Sequence, residues 1–361
     1  MKIHFQVSLI FQATRAGIEV WCKKATFTKG IQPMQHTVSD WIIRLLEGDR
    51  AAISKTISYI ESQRQDHREF ALEVMQGLSA NAPDTDCHRL GFTGSPGVGK
   101  STLINALAQD FLANNPQSKL AILTIDPSSH RHGGSILGDK SRMPDIATDP
   151  RVFVRPSPSS GALGGVNRNT ALVMQLLYLV GYKELWIESV GVGQSEVSIA
   201  DLVDTLLYLT QAEAGDGLQG IKRGVVETAD IVVFTKIDDQ EDSLTREVMR
   251  QWKQAMSLHQ HESAGWDIPL VKTSANNGSG LDKLSASVAQ FIQHQFEGGF
   301  RETRRNRQRK ARIRGLAEAA LLQQFWEHPA VAKSFKAISH SSLSEEGMLK
   351  EVLSLIQQFK D

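Results

Sequence analysis

Gly94-Ser95-Pro96-Gly97-Val98-Gly99-Lys100-Ser101-Thr102 fits GxxxxGK[ST] at every fixed position, and those residue types at that spacing can hold a chain of phosphates. The glycines let the backbone close around an anion with its N–H groups turned inward, and a helix that starts at the lysine adds a favourable dipole. Lys100 would reach the β- and γ-phosphates, and the Ser101 hydroxyl would ligate Mg²⁺. Gly97, Val98, Gly99, Lys100, Ser101 and Thr102 are therefore the candidate phosphate-binding residues. A glycine-rich turn that matches by chance is the plainer alternative, and the flanks speak against it. Arg89-Leu90-Gly91-Phe92-Thr93 reads as a short buried strand, and Leu103-Ile104-Asn105-Ala106-Leu107-Ala108 continues as a helix with one apolar face. Strand, glycine loop and helix are the context the motif requires, so the chain is expected to bind a nucleoside triphosphate.

Two further sets of residues bear on which base is read and what happens at the γ-phosphate. Phe234-Thr235-Lys236-Ile237-Asp238 follows an apolar strand, and its Lys-x-Asp lies where GTPases carry Asn-Lys-x-Asp. The Asp238 carboxylate can accept hydrogen bonds from the N1–H and the exocyclic amine of guanine, which adenine cannot supply, while the Lys236 stem packs along the base. Ser274 and Ala275, in Thr273-Ser274-Ala275, would turn a backbone N–H toward the guanine oxygen. Thr235 stands where Asn is usual and cannot donate through an amide, so weaker bracing of this loop is expected. Leu185-Trp186-Ile187-Glu188-Ser189-Val190-Gly191 looks like a second phosphate-sensing strand, with Glu188 placed to hold Mg²⁺ through water or to polarise the attacking water. Gln194 can orient a water by donating and accepting at once. Asp126 and Asp139 are further oxygen ligands or switch residues. Mg²⁺ prefers few carboxylates, so Asp126, Asp139 and Glu188 cannot all be direct ligands, and Asp139 is the choice for the switch that closes over the nucleotide.

Positioning such residues takes a strand-rich scaffold. Besides Arg89–Thr93, the strand candidates are Leu120 to Ile125, Leu185 to Ile187, Thr205 to Leu209, Ile231 to Phe234 and Pro269 to Val271, alternating with helical patterns. That alternation predicts an α/β fold, a P-loop NTPase with a mostly parallel central sheet flanked by helices. From Asp40 to Ser79 apolar residues recur at helical spacing with a break at Gly48-Asp49. From Arg301 a basic run (Arg301, Arg304, Arg305, Arg307, Arg309, Lys310, Arg312, Arg314) leads into the apolar pattern Leu316, Ala320, Leu321, Phe325. The expected organisation is an N-terminal extension at 1–33, disordered or preceding a true start at Met34. A helical region at 34–85, the GTPase domain at 86–298 and a helical dimerisation arm at 299–361 follow.

The 361 residues carry 40 Lys+Arg against 40 Asp+Glu, a balance that gives no sign of nucleic-acid or acidic-membrane binding. The basic run lacks interleaved aromatics and reads as a solvated helix face rather than an RNA contact. Cys22 and Cys87 are too few for a disulfide framework or a thiolate metal cage, which suits a reducing, cytoplasmic location. No run approaches the roughly eighteen apolar residues of a membrane span.

Longer motifs carry a family resemblance. They are Asp126-Pro127-Ser128-Ser129, Gly133-Gly134-Ser135-Ile136-Leu137-Gly138-Asp139-Lys140-Ser141-Arg142-Met143, Pro158-Ser159-Ser160-Gly161, Glu188-Ser189-Val190-Gly191-Val192-Gly193-Gln194-Ser195-Glu196 and Ala214-Gly215-Asp216-Gly217-Leu218-Gln219-Gly220-Ile221-Lys222. In these the chain resembles the methylmalonyl-CoA mutase-associated GTPases, the MeaB/ArgK group of the SIMIBI class, from about Val38 to the C-terminus. The resemblance implies a homodimeric GTPase that binds a cobalamin-dependent acyl-CoA mutase, gates adenosylcobalamin loading and protects the mutase. It also implies that Lys100, Ser101, Asp126, Asp139 and Glu188 are nucleotide and Mg²⁺ positions, and that Asp216, Gln219 and Lys222 belong to a segment signalling to the mutase. The chain departs from the family pattern at Ser189, at Thr235 and Ile237, and at Gln211-Ala212-Glu213. Three other readings compete. A nickel-inserting GTPase would need a metal tract, for which His130 and His132 are the nearest residues. A P-loop kinase would put phosphate on a small molecule. A nucleotide-gated binding module would turn over negligibly, a reading suggested by the lack of an obvious arginine finger.

Overall fold

The computed structural model describes residues 37–62, 64–80, 86–126, 143–158, 165–189, 199–212, 228–238, 243–257, 260–338 and 344–360. Three helices come first: α1 (Val38–Leu46), α2 (Arg50–Glu61) and α3 (Gln65–Ser79). Thr37 opens α1 with a reciprocal capping box to Asp40, and Gly48, at φ 81°, turns the chain between α1 and α2. Asp49 then caps α2 by accepting from the Ala51 and Ala52 N–H groups.

Strand and helix alternate from there: β1 (His88–Gly94), α4 (Lys100–Asn114), β2 (Leu120–Asp126), α5 (Pro144–Ala147), β3 (Val152–Pro158), α6 (Gly165–Leu179), β4 (Glu184–Ser189), β5 (Thr205–Thr210), β6 (Ile231–Phe234), α7 (Ser243–Ser257), β7 (Leu270–Lys272) and α8 (Leu281–Glu297). All seven strands pair in parallel in the order β3-β2-β4-β1-β5-β6-β7. The six expected strands are present, β6 with the bounds expected and the others with ends one or two residues longer or shifted. β3 was not among them.

Alternation along the buried strands sorts their side chains onto two faces, which is why the strands read as continuous apolar runs. Leu120 and Ile122 of β2 join Leu103, Ile104 and Leu107 of α4 and Leu284 of α8 on one face. Ala121, Leu123 and Ile125 join Val173, Leu176 and Leu177 of α6 on the other, and the same cluster takes in Ile42, Leu45, Ile53, Ile57 and Val74 of α1–α3. The N-terminal helices thus share their core with the sheet. Tyr208, Val232 and Phe234 pack on Val248 and Trp252 of α7.

The chain divides into two compact units after Glu302. The second unit holds most of α9 (Phe300–Glu327), with α10 (Pro329–Ile338) and α11 (Glu345–Lys360). The basic run lies within α9. Among the described residues no helix is long and apolar enough to cross a membrane. The N-terminal stretch 1–33 lies outside the described residues.

Candidate functional site

The strand order changes direction around β1, which lies between β4 and β5, and the glycine loop leaves the carboxyl end of β1 at that point. Crevices of this kind are where open parallel sheets bind ligands. Gly94 is at φ 145°, and a Cβ there would stand 2.3 Å from the Leu209 carbonyl oxygen, so only glycine allows β1 to run this close to β5 before turning. Gly99, at φ 96°, is the N-cap of α4, and no side chain caps that helix. Its first-turn N–H groups and dipole form a favourable seat for an anion.

Lys100 is buried, and its Nζ donates to the carbonyls of Gly94 (2.8 Å) and Ser95 (3.1 Å), which fixes the ammonium inside the loop. Phe92 pairs with Glu188 in the β1–β4 register, so Glu188 lies two positions before Gly94 on the neighbouring strand. The Ser101 hydroxyl donates to Glu188 Oε1 at 2.7 Å, and the Glu188 side chain is only 4% exposed. A hydroxyl and a single carboxylate, both hard oxygen donors meeting at the mouth of a phosphate loop, suit Mg²⁺, which takes few carboxylates and keeps several waters. Next to Glu188, the Ser189 hydroxyl donates to Thr93 Oγ1 at 3.0 Å with both residues buried. The Ser189 hydroxyl thus adds a side-chain tie between the paired strands β4 and β1.

At the other end of the crevice Lys236 has φ 61°, the one positive φ outside glycine among the described residues. Its Nζ donates to the Gly97 carbonyl (2.9 Å), and its Cε lies 3.7 Å from where a Cβ on Gly99 would stand. The lysine stem therefore lies across the glycine loop. Thr235 is buried, and its hydroxyl donates to the Val98 carbonyl at 2.6 Å, so the bracing expected to be weak is supplied by a hydroxyl in place of an amide. Asp238 is exposed but held: Ser274 Oγ donates to its Oδ1, Asn276 Nδ2 to its Oδ2 at 3.1 Å and Asn277 Nδ2 to its backbone carbonyl at 2.9 Å. Both carboxylate oxygens keep lone pairs for a base. Ala275 lies in the turn that follows Ser274, a turn closed by Ser274 N–H donating to the Ser279 carbonyl.

Gly97, Val98, Gly99, Lys100, Ser101 and Glu188 thus meet at one end, and Lys236, Asp238, Ser274 and Ala275 at the other. Thr102 is an exposed residue of the first turn of α4, and Asp126 closes β2 one position past the Ile125–Ser189 pair. Asp139, Gln194, Asp216, Gln219 and Lys222 lie outside the described residues, as do His130 and His132. Sequence reasoning overlooked Asn276 and Asn277, whose signal was a polar pair directly after Ala275. It registered Gln211 as a departure without giving it a role.

Residues 53–330 match the family described as methylmalonyl Co-A mutase-associated GTPase MeaB. A probable GTPase of Mycobacterium tuberculosis, Rv1496, is 44% identical over 287 residues, 79% of this chain and 84% of the relative. The mitochondrial methylmalonic aciduria type A homolog of Mus musculus is 33% identical over 335 residues, 90% of this chain and 80% of the relative. Among solved structures, a LAO/AO transport system kinase superposes with a TM-score of 0.69 at 24% identity, over 92% of this chain and 100% of its own, a likeness of fold. With a family match across most of its length and relatives named as GTPases, this chain belongs to the MeaB family of methylmalonyl-CoA mutase-associated GTPases, and it is a GTPase.

Proposed function

We propose that the protein is a guanine-selective, Mg²⁺-dependent GTPase that serves a cobalamin-dependent acyl-CoA mutase of the methylmalonyl-CoA mutase type, gating adenosylcobalamin loading and protecting the mutase. The observation that carries the hydrolytic part is the Ser101 hydroxyl 2.7 Å from the buried Glu188 carboxylate, one residue from Lys100 at the start of an uncapped helix. Phosphoryl transfer asks a protein mainly for position and charge neutralisation. Here Lys100 brings a fixed positive charge to the β- and γ-oxygens, and the loop N–H groups with the α4 dipole hold the phosphate chain. Ser101 and Glu188 would hold Mg²⁺, which supplies charge neutralisation across the phosphate oxygens. Asp238, aimed by Ser274 and Asn276, accepts from the guanine edge, and Lys236 lies along the base.

The family description and the name of the mouse relative support the mutase as the client. A homodimer is supported by where apolar surface is left uncovered: among the described residues the large exposed hydrophobics other than Leu72, Leu244 and Phe296 all lie in the second unit, including Leu321, Leu322, Trp326, Leu349 and Leu353. Apolar surface concentrated in this way marks an interaction face. The test is GTP and ATP hydrolysis by the purified protein, alone and with methylmalonyl-CoA mutase, with and without a Mg²⁺ chelator. GTP-selective, chelator-sensitive turnover that changes when the mutase is added is the expected result. Turnover indifferent to the mutase would remove the client from the proposal, and phosphate appearing on an acceptor instead of in water would replace hydrolysis with a kinase reaction.

A further inference from the structure

We propose that Gln211 is a positioning residue of the phosphate loop, clamping it from the end of β5. Gly94 pairs with Leu209 in the β1–β5 register, so the residue that follows β5 runs beside the loop that follows β1. The Gln211 side-chain amide donates to the Val98 carbonyl at 3.2 Å and leans toward the Gly97 carbonyl at 3.4 Å. Thr235 donates to the same Val98 carbonyl from the end of β6, and Lys236 to that of Gly97. Two consecutive loop carbonyls are thus gripped by three donors from two strand ends. A trans peptide points its C=O and N–H in opposite directions, so holding the Val98 carbonyl toward β5 and β6 aims the Gly99 N–H the other way. A carbonyl that accepts hydrogen bonds also polarises its own peptide unit and makes the attached N–H a stronger donor. Gln211 thereby affects phosphate binding without touching phosphate.

The inference rests on the phosphate-loop reading above, and the experiment separates the two. Release of a fluorescent GDP analogue, with KM and kcat for GTP, is measured for Gln211→Met, Gln211→Glu, Thr235→Val and the Gln211→Met/Thr235→Val pair, with Lys100→Ala as control and a thermal melt of each. Met keeps the length and removes the donor, so GDP should bind about fivefold more weakly, the worth of one neutral hydrogen bond, with KM raised more than kcat falls. Glu sets an acceptor against two carbonyls and should cost about tenfold more than Met. The double variant should be non-additive, because both donors serve one carbonyl. Gln211→Met and Gln211→Glu that bind GDP as tightly as the parent would overturn the clamp, as would a loss confined to kcat. Lys100→Ala binding GDP and GTP like the parent would overturn the phosphate-loop reading itself.

Discussion

At the phosphate end of the crevice Lys100 and Glu188 are buried, and their contacts join a strand end to the first turn of a helix. At the base end Lys236 and Asp238 are exposed, and Asp238 owes its place to side chains from a second loop: buried Ser274, with Asn276 and Asn277 at the surface. Charges in the buried end act at low effective dielectric and against a fixed helix dipole, so each is worth more there than at the surface. Groups at the exposed end compete with water, and the role proposed for them is to discriminate one base edge from another. Under the proposed function, the burial difference divides turnover from selectivity. Gln211, Thr235 and Lys236 join the two ends by holding the Gly97 and Val98 carbonyls.

Removing the buried charge should have the largest effect. Lys100→Ala is expected to lower GTP turnover by up to about a thousandfold in a phosphate-release assay, since one preorganised donor at a developing anion is worth on the order of 10² to 10³. A residual rate near the parent's would collapse the distinction between the ends. Glu188→Gln keeps the shape and removes the charge. Turnover should fall about a hundredfold, and the Mg²⁺ concentration for half-maximal rate should rise, read from a Mg²⁺ titration. An unchanged Mg²⁺ curve would leave Glu188 as a strand residue that merely caps Ser101.

Asp238→Asn moves to the exposed end and should leave chemistry alone while changing the base. Two hydrogen bonds to a carboxylate are replaced by an amide that can donate to the 2-oxygen of xanthine, so GTP affinity should drop about a hundredfold and xanthosine triphosphate should become the better substrate. Competition between the two nucleotides measures this directly. Full GTP preference in the variant would mean that the base is read elsewhere.

How much of this arrangement was visible in the chain follows the same division. The phosphate end is local: strand, glycine loop and helix are consecutive, and Gly94 to Thr102 states the geometry in its residue types. The base end is non-local, because Asp238 and Ser274 are 36 positions apart and their contact is set by the β6–β7 pairing. Residue types gave the Asp and the Ser but not the bond between them. β3 escaped notice because Arg155, Pro156 and Pro158 follow Val152-Phe153-Val154 and cut the apolar run to three residues, and its place at the sheet edge lets the prolines pair on one side. Arg155 finds Glu61 and the Ser54 carbonyl of α2 about a hundred residues away, which no local pattern contains. The helical periodicity of α1–α3 was plain, yet nothing in it says which surface their apolar faces cover. Thr235 read as a loss when compared with Asn, because its reach to the Val98 carbonyl exists only once β1 and β6 flank β5.

The smallest effects test whether the base end is itself graded from buried to exposed. Ser274 is fully buried, donates to Asp238 Oδ1 and accepts from the Asn277 N–H at 3.3 Å, so Ser274→Ala frees the carboxylate and loosens the turn together. GTP affinity should fall about tenfold, near the lower end for a hydrogen bond to a charged group. Asn276 donates to Oδ2 from the surface, where water can take its place, and Asn276→Ala should cost about twofold. Neither change should alter kcat at saturating GTP, because both act on how the base is held and not on the phosphates. Equilibrium titration with a fluorescent GTP analogue orders them. If Asn276→Ala proved the more damaging, Asp238 would be aimed from the solvent side and burial would not be what ranks contributions at this end.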